Sequence, residues 1–352
     1  MIEGLENLLE GSSQPGLTEL RTALQELLGG PEVRGRLIEQ RRLKSRVYRL
    51  RLEIDDRIRS LVIKRHDPNI ARRNRLVTER WLPAVDLIQS GPALLGAAAE
   101  RSGCCVWHVY EDLGDWALDN YHPDPVQVKV AVELIAQIHS RFAGHALLGE
   151  CRLWGGDLGI HFYAANVRDA IHGLEALRSP AVTLSPEHAA LRNRLLDRMH
   201  CLLDEQVHRA QSLAECGGPE TLLHGDLWTT NTLVIPTQHG FQARLIDWDY
   251  AGVGPVSYDL STFLLRFPIH HRPWILNAYR EFMEYDGWRL PSTPDLNLLF
   301  DTAECARFAN RAIWPAMALL TDGAEWGFDE LAEVEQWFET LEPVLPLNNE
   351  TA

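Results

Sequence analysis

Hydrophobic and polar positions along this chain follow two different periods, and the change between them divides it. In residues 1–33, Leu20, Leu24 and Leu27/Leu28 fall on one side of a helix that Gly29-Gly30 stops, so this stretch is expected to be an N-terminal helical extension of one or two short amphipathic helices. The period then shortens. Arg49-Leu50-Arg51-Leu52-Glu53-Ile54 alternates strictly, Asp55-Asp56 marks a turn, and Ser60-Leu61-Val62-Ile63 is an apolar run. That pattern predicts an antiparallel hairpin with an arginine-rich outer face. From Pro68 to about Ile88 the spacing is helical, opened by Asp67-Pro68 and closed by Ser90-Gly91-Pro92. A strand over Cys104 to Tyr110 runs into Glu111-Asp112-Leu113-Gly114.

Beyond that point the spacing is almost wholly helical, as in Val126–Phe142, Glu187–Gln211 and from Asp259 to the end. An island of short strands between Leu222 and Ile246 is the exception, and the polar loop Asp226–Asn231 interrupts it. No internal repeat or low-complexity tract is present. The expected fold class is α+β. A small antiparallel-sheet lobe (34–110) leads through a connector (111–114) to a large, mainly helical lobe (115–352).

The chain has 352 residues, enough for two cores, and its 45% hydrophobic and 24% charged residues are those of an ordinary globular protein. Residues 1–110 hold 18 Lys and Arg against 14 Asp and Glu, and the remainder holds 16 against 35, giving a net charge of −15. This acidity argues against nucleic acid as a partner, because neutralising phosphates supplies most of such binding. It leaves a first part that tolerates phosphates and a second that attracts cations. The uncharged stretch from Leu87 to Ala99 is broken by Gly91 and Pro92, too short for a membrane span of roughly 20 apolar residues. The acidic start MIEGLENLLEG lacks the cations of an export signal, and the six cysteines form no C-x-x-C pair, so free thiols in a reducing cytoplasm are expected.

The densest chemistry lies in His224-Gly225-Asp226-Leu227-Trp228-Thr229-Thr230-Asn231, set between two apolar runs. Sixteen residues past Asn231, after another apolar strand, stands Ile246-Asp247-Trp248-Asp249. Polar groups on loops beside adjacent strands can converge on one point. Phosphoryl transfer needs that convergence, since its catalysis is positioning plus charge neutralisation. One carboxylate must accept a hydroxyl proton, while a second carboxylate and an amide oxygen hold magnesium, an ion that prefers hard oxygen ligands.

H-G-D-x₄-N followed by I-D-W-D resembles the catalytic and metal-binding pair of the aminoglycoside phosphotransferase and choline kinase superfamily, which has a two-lobed protein-kinase-like fold. The resemblance covers roughly residues 36–340. It implies that Asp226 is the catalytic base, that Asn231 and Asp247 are magnesium ligands, and that His224 holds the loop backbone. Tyr258-Asp259-Leu260-Ser261 resembles the family's closing segment, whose aspartate braces the catalytic loop. The first lobe is then expected to bind ATP. Lys64 would grip the α- and β-phosphates, Glu79 of the following helix would orient it, and main-chain groups of Glu111 and Leu113 would meet the adenine edge. One feature departs from the pattern. The nucleotide-covering loop near Leu43-Lys44-Ser45-Arg46-Val47-Tyr48 has no glycine, leaving Ser45 and Lys44 to meet the phosphates and GTP as an alternative to ATP.

Two positions after the base, where protein kinases carry a lysine, stands Trp228, which suits a small hydroxyl substrate packed on an aromatic face. The string L-L-H-G-D-L-W also resembles fructosamine kinases, while I-D-W-D-Y is nearer the aminoglycoside and choline or ethanolamine branches. Acidity in the second lobe favours a cationic acceptor. Asp115, Trp116, Asp119, Trp314, Glu325 and Trp326 are candidates to line its pocket, although acids in Phe328–Pro343 flank an apolar stripe as on any solvated helix. Two other classes remain: an inactive relative serving as a binding module, and a nucleic-acid binder using the arginine hairpin. The sequence leaves the oligomeric state open.

Overall fold

The computed structural model describes residues 2–9, 14–30, 34–179, 182–283 and 289–347. Its first part is a six-stranded sheet in the order β1-β2-β3-β4-β6-β5. The strands are β1 (Ile2–Glu3), β2 (Gly35–Lys44), β3 (Val47–Ile54), β4 (Arg57–His66), β5 (Leu94–Ala99) and β6 (Val106–Glu111). The hairpin anticipated at residues 49–63 is the β3–β4 pair, in register from Val47 opposite Lys64 to Ile54 opposite Arg57. Alternation works as the sequence implies: Leu50, Leu52, Leu61 and Ile63 point into the core.

Two findings differ from the sequence reading. The start of the chain is not purely helical, because Ile2 and Glu3 pair in parallel with Gly35 and Arg36. Nor does it stand apart from the first lobe. Helix α1 (Leu17–Leu27) lies against β5, and Ile2, Leu5, Leu8, Leu20 and Leu24 share one buried cluster with Leu50, Ile63 and Trp107. Residues 1, 10–13 and 31–33 of that stretch lie outside the described residues. The small residues of Leu94-Leu95-Gly96-Ala97-Ala98-Ala99 let the helix approach, Gly96 lying under Leu27.

Helix α2 (Pro68–Leu76) passes through a π-turn (Val77–Trp81) into the short α3 (Leu82–Ala84). Pro68 sits at its first turn, where a missing N–H costs nothing. The second lobe contains α4 (Pro125–Phe142), α5 (Leu148–Trp154), α6 (Ile160–Ala176), α7 (Pro186–Asp204) and α8 (Gln206–Cys216). The helix expected over Glu187–Gln211 is thus two, divided at Glu205. Two ribbons follow, β7 (Glu220–Leu223) with β10 (Gly252–Pro255) and β8 (Thr232–Thr237) with β9 (Gly240–Leu245). Then come α9 (Ser257–Leu265), α10 (Arg272–Phe282), the 30-residue α11 (Thr293–Asp322) and α12 (Trp326–Thr340).

This lobe has two cores. One, around Val128, Ile135, Leu245, Trp248 and Phe263, carries the ribbons; the other joins α6, α7, α11 and α12. The site therefore sits on the better-braced half. Among the described residues, no helix is long and apolar enough to cross a membrane.

Because Leu24 is fully buried in the first-lobe core, Leu24→Ala is expected to destabilise the protein by about 2–5 kcal/mol in chemical denaturation. An unchanged midpoint would show that the N-terminal helix folds independently of the sheet.

Candidate active site

The loop between β7 and β8 is built from inside by one carboxylate. Asp259 on α9 is wholly buried; its Oδ2 accepts the His224 N–H at 2.7 Å and its Oδ1 the Gly225 N–H at 2.9 Å. Burial alone would raise its pKa, but hydrogen bonding from His139 and the neighbouring His224 hold it below the usual value, so it stays ionised. His139 Nδ1 is in turn 2.9 Å from the Tyr279 hydroxyl.

His224 secures the second loop. Its Nε2 lies 2.9 Å from the Ile246 carbonyl, and its Nδ1 accepts the Asp226 N–H at 3.3 Å. These contacts define the Nε2–H tautomer and couple Asp226 to the residue before Asp247. Gly225 has φ +82°, and a Cβ there would stand 1.9 Å from the Tyr250 carbonyl oxygen. Only glycine fits.

Asp226, Asn231 and Asp247 meet at this junction. The Asn231 amide Nδ2 donates to the Asp226 carbonyl at 2.9 Å and to Asp226 Oδ2 at 3.2 Å, and the Asn231 carbonyl accepts the Ile246 N–H at 2.9 Å. Its buried Oδ1 has no hydrogen-bond partner among the described residues. A buried acceptor left open beside an ionised carboxylate fits a hard cation. Asp247 adopts the left-handed region at φ +70°, unusual for a residue with a side chain. Burial acts to raise its pKa, yet the ammonium groups of Lys64 and Lys44 outweigh this and bring it to about 2. Asp226 moves the opposite way: burial, reinforced by Asp247, lifts its pKa above the ordinary value against the pull of His224 and Arg307. Among the described residues no three His, Cys, Asp or Glu side chains form a metal cluster, so a metal here would use one carboxylate and one amide.

From the sheet side, Lys64 Nζ lies 2.5 Å from Asp247 Oδ1 and 2.8 Å from Asp249 Oδ1. Lys44 Nζ reaches Asp247 Oδ2 at 3.4 Å from the tip of the β2–β3 hairpin. These cations border a cleft of about 330 Å³ that runs to Glu111, Asp112 and Leu113, with Val47, Val62, Leu233 and Ile246 as apolar walls. Ser45 sits at the hairpin turn, its carbonyl 3.5 Å from the Tyr48 hydroxyl. The Glu111 N–H donates to the Ala93 carbonyl at 3.1 Å, and its carboxylate accepts from Arg244 at 2.9 Å.

Several anticipated partnerships are not formed. Glu79 does not meet Lys64; it is exposed and bonds Arg75 Nε at 2.6 Å, while Asn74 and Thr78, at i and i+4, face the cleft. The lysine's partners are the two aspartates, and Asn74 Nδ2 steadies Asp249 at 2.9 Å. Asp115 is held by Arg49 at 2.9 Å and Arg41 at 3.3 Å, while Asp119 Oδ1 accepts the Tyr121 and His122 N–H groups. Glu325 and Trp326 line a different depression with His188, Leu319 and Asp329, and Trp314 lies exposed on α11. Trp228 does stand at the site, with Arg266 Cζ 4.0 Å over its ring. Sequence reasoning missed Asp249, Asn74 and Arg266. The D-W-D spacing, which puts two aspartates on one turn, was the available signal for the first.

A sheet lobe and a helical lobe closing on a lysine, two aspartates and an asparagine define a kinase-like phosphotransferase. Residues 45–292 match the model of the phosphotransferase enzyme family (APH), so the chain belongs to that family. It is a phosphotransferase that acts on the hydroxyl of a small molecule. Among solved structures, an ethanolamine kinase of Plasmodium vivax matches with TM-score 0.55 and 13% identity over 85% of this chain and 82% of that one. A macrolide 2′-phosphotransferase of Brachybacterium faecium matches with TM-score 0.53 and 17% identity over 94% and 97%. A choline/ethanolamine kinase family protein of Mesorhizobium loti gives TM-score 0.52 and 16% identity over 86% and 88%. At these identities the likeness is one of fold. No curated protein matches the sequence.

Gly225→Ala is expected to lower kcat at least tenfold, since the loop must move to relieve the clash with Tyr250. Wild-type turnover in that variant would mean the loop tolerates displacement.

Proposed function

We propose that the protein transfers the γ-phosphoryl group of MgATP to a hydroxyl of a small molecule, with Asp226 as base and with Asn231 and Asp247 as metal ligands. The convergence of Asp226, the open Asn231 Oδ1 and the ionised Asp247 at the end of a lysine-lined cleft carries this reading. In it, residues 34–110 form the nucleotide lobe, 111–114 the hinge, and 115–352 the catalytic lobe.

The adenine lies between Val47 and Val62 on one side and Leu233 and Ile246 on the other, with the Glu111 carbonyl and the Leu113 main chain at its edge. Because the Glu111 N–H is already given to Ala93, only its carbonyl is available. Lys64 swings from the aspartates onto the α- and β-phosphates, a short movement since its ammonium already stands at the cleft floor. Lys44 and Ser45 do from the hairpin what glycine amides do elsewhere, supplying charge where close backbone approach is absent. Magnesium, when bound, neutralises charge on the β- and γ-phosphate oxygens. Asp226 accepts the acceptor's hydroxyl proton as that oxygen bonds to the γ-phosphorus; the bond from phosphorus to the β,γ-bridging oxygen breaks, and ADP leaves. The raised pKa of Asp226 makes it a better base than an exposed aspartate, and Asp259 keeps its loop fixed while the charge moves.

Asp226→Asn is expected to reduce kcat by about 10²–10⁴-fold with MgATP binding retained, read by coupled ADP release and titration calorimetry. Unchanged turnover would remove Asp226 as the base. Asp247→Ala is expected to weaken nucleotide binding in magnesium but not in EDTA, and indifference to the metal in both proteins would break the ligand assignment. In wild type, kcat/KM is expected to fall on acidification through a pKa above the ordinary aspartate value, because protonated Asp226 cannot accept the proton.

A further inference from the structure

Asp226 and Trp228 are not among the residues that line the nucleotide cleft, and the acceptor of the proposed reaction must stand on their side. Two arginines stand there. Arg266, at the end of α9, lies over the Trp228 ring at 4.0 Å. Among the described residues its guanidinium has no carboxylate partner, and its Nε is buried without a hydrogen-bond acceptor. Arg307 of α11 stands nearby, its Cζ 3.8 Å over the Tyr258 ring. Arg307 is fully engaged, with Glu304, the Tyr258 carbonyl and Ser261 as partners. Glu304 also accepts from Ser261 at 2.7 Å, so this carboxylate is already committed. Both arginines lie close enough to Asp226 to interact with its charge.

A cationic acceptor would find poor chemistry here. One face of the Trp228 indole, the kind of surface that receives an alkylammonium, is covered by a guanidinium. The acids anticipated for such a pocket are engaged elsewhere, Asp115 on Arg49 and Asp119 on its own backbone turn. What the site offers is a partly buried, planar guanidinium whose Nε has no acceptor among the described residues. Such a fork matches a carboxylate or a phosphate.

Resting on the phosphotransfer reading, we infer that the acceptor is a hydroxylated small molecule bearing an oxyanion group, and that Arg266, braced on Trp228, receives that group. The pair then fixes the substrate's orientation so that a hydroxyl, not the anion, is presented to Asp226. Arg266 is a specificity-determining residue.

The test uses the full chain with MgATP and acceptors that differ in charge on one scaffold: glucuronate and glucose 6-phosphate, glucose, and glucosamine. ADP release is followed in wild type, Arg266→Gln and Arg266→Lys. The anionic members are expected to give the highest kcat/KM in wild type, with glucuronate against glucose 6-phosphate telling carboxylate from phosphate. Arg266→Gln should lower kcat/KM for them about 10–100-fold, mainly through KM, and Arg266→Lys should restore part of the loss. Preference for glucosamine, an anionic preference that survives Arg266→Gln, or no stimulation by either anionic member would overturn the inference. So would an equal fall in kcat for all acceptors, which would place Arg266 on the transferring phosphoryl group instead. The wild-type ranking needs no variant to fold. Failure of the phosphotransfer reading looks different: wild type would then not bind MgATP, or Asp226→Asn would keep its turnover.

Discussion

The ammonium of Lys64, held between Asp247 and Asp249, is the contact on which the rest of the architecture depends. It is the point where a strand of the sheet lobe touches the loop of the helical lobe. All three side chains are largely withdrawn from water, so none is cheap to leave unpaired. On the proposed mechanism, a nucleotide would offer phosphates to the lysine and its metal would offer a cation to Asp247. The closed triangle would then be an arrangement that substrate replaces charge for charge. Lys44, reaching Asp247 from the hairpin tip, adds a second cation to the same exchange. A hairpin without glycine can serve as a cover because it brings an ammonium in place of close amides.

Behind this contact, position is kept by hydrogen bonds that never reach the substrate. Asp259 spends both carboxylate oxygens on consecutive N–H groups, and His224 spends both ring nitrogens on the backbones of the two loops. The left-handed turn at Asp247 is a strain that a looser frame would release, and Gly225 passes Tyr250 more closely than any side chain would allow. Rigidity on this side leaves freedom to Lys64 and Lys44. The division suits a reaction in which the protein does little covalent chemistry and much alignment.

What was legible in the sequence follows from which forces are local. Alternation in Arg49–Ile54 showed the hairpin because one face of that strand is buried by the chain's own core. Strand β2 was not legible: Gly35–Lys44 is nearly all exposed, so no burial marks its period, and its pairing is decided by the neighbouring strand. The N-terminal segment carried a helical pattern for α1, but nothing local told that Ile2 would join the sheet. Spacing and order in H-G-D-x₄-N and D-W-D identified the loop residues, whose convergence the structure displays. Lys64, singled out by its place at a strand end, stands at the cleft with two aspartates rather than Glu79 as partners. Glu79 lies on the expected helix, but its carboxylate is on Arg75, and periodicity does not tell which polar residue of a helix meets a neighbouring strand.

Net charge is a weak guide to the acceptor for a related reason. A charge of −15 describes the solvated surface, where acids on α12 and elsewhere keep the chain soluble and affect a ligand only through screened, distant fields. Recognition is decided within a few ångströms, by groups that water has left. Near Asp226 stand Arg266, over the Trp228 ring, and Arg307, which is paired with Glu304. Such an arrangement also bears on catalysis. Burial, reinforced by Asp247, lifts the pKa of the proposed base Asp226 above the ordinary aspartate value, and neighbouring His224 and Arg307 oppose that rise.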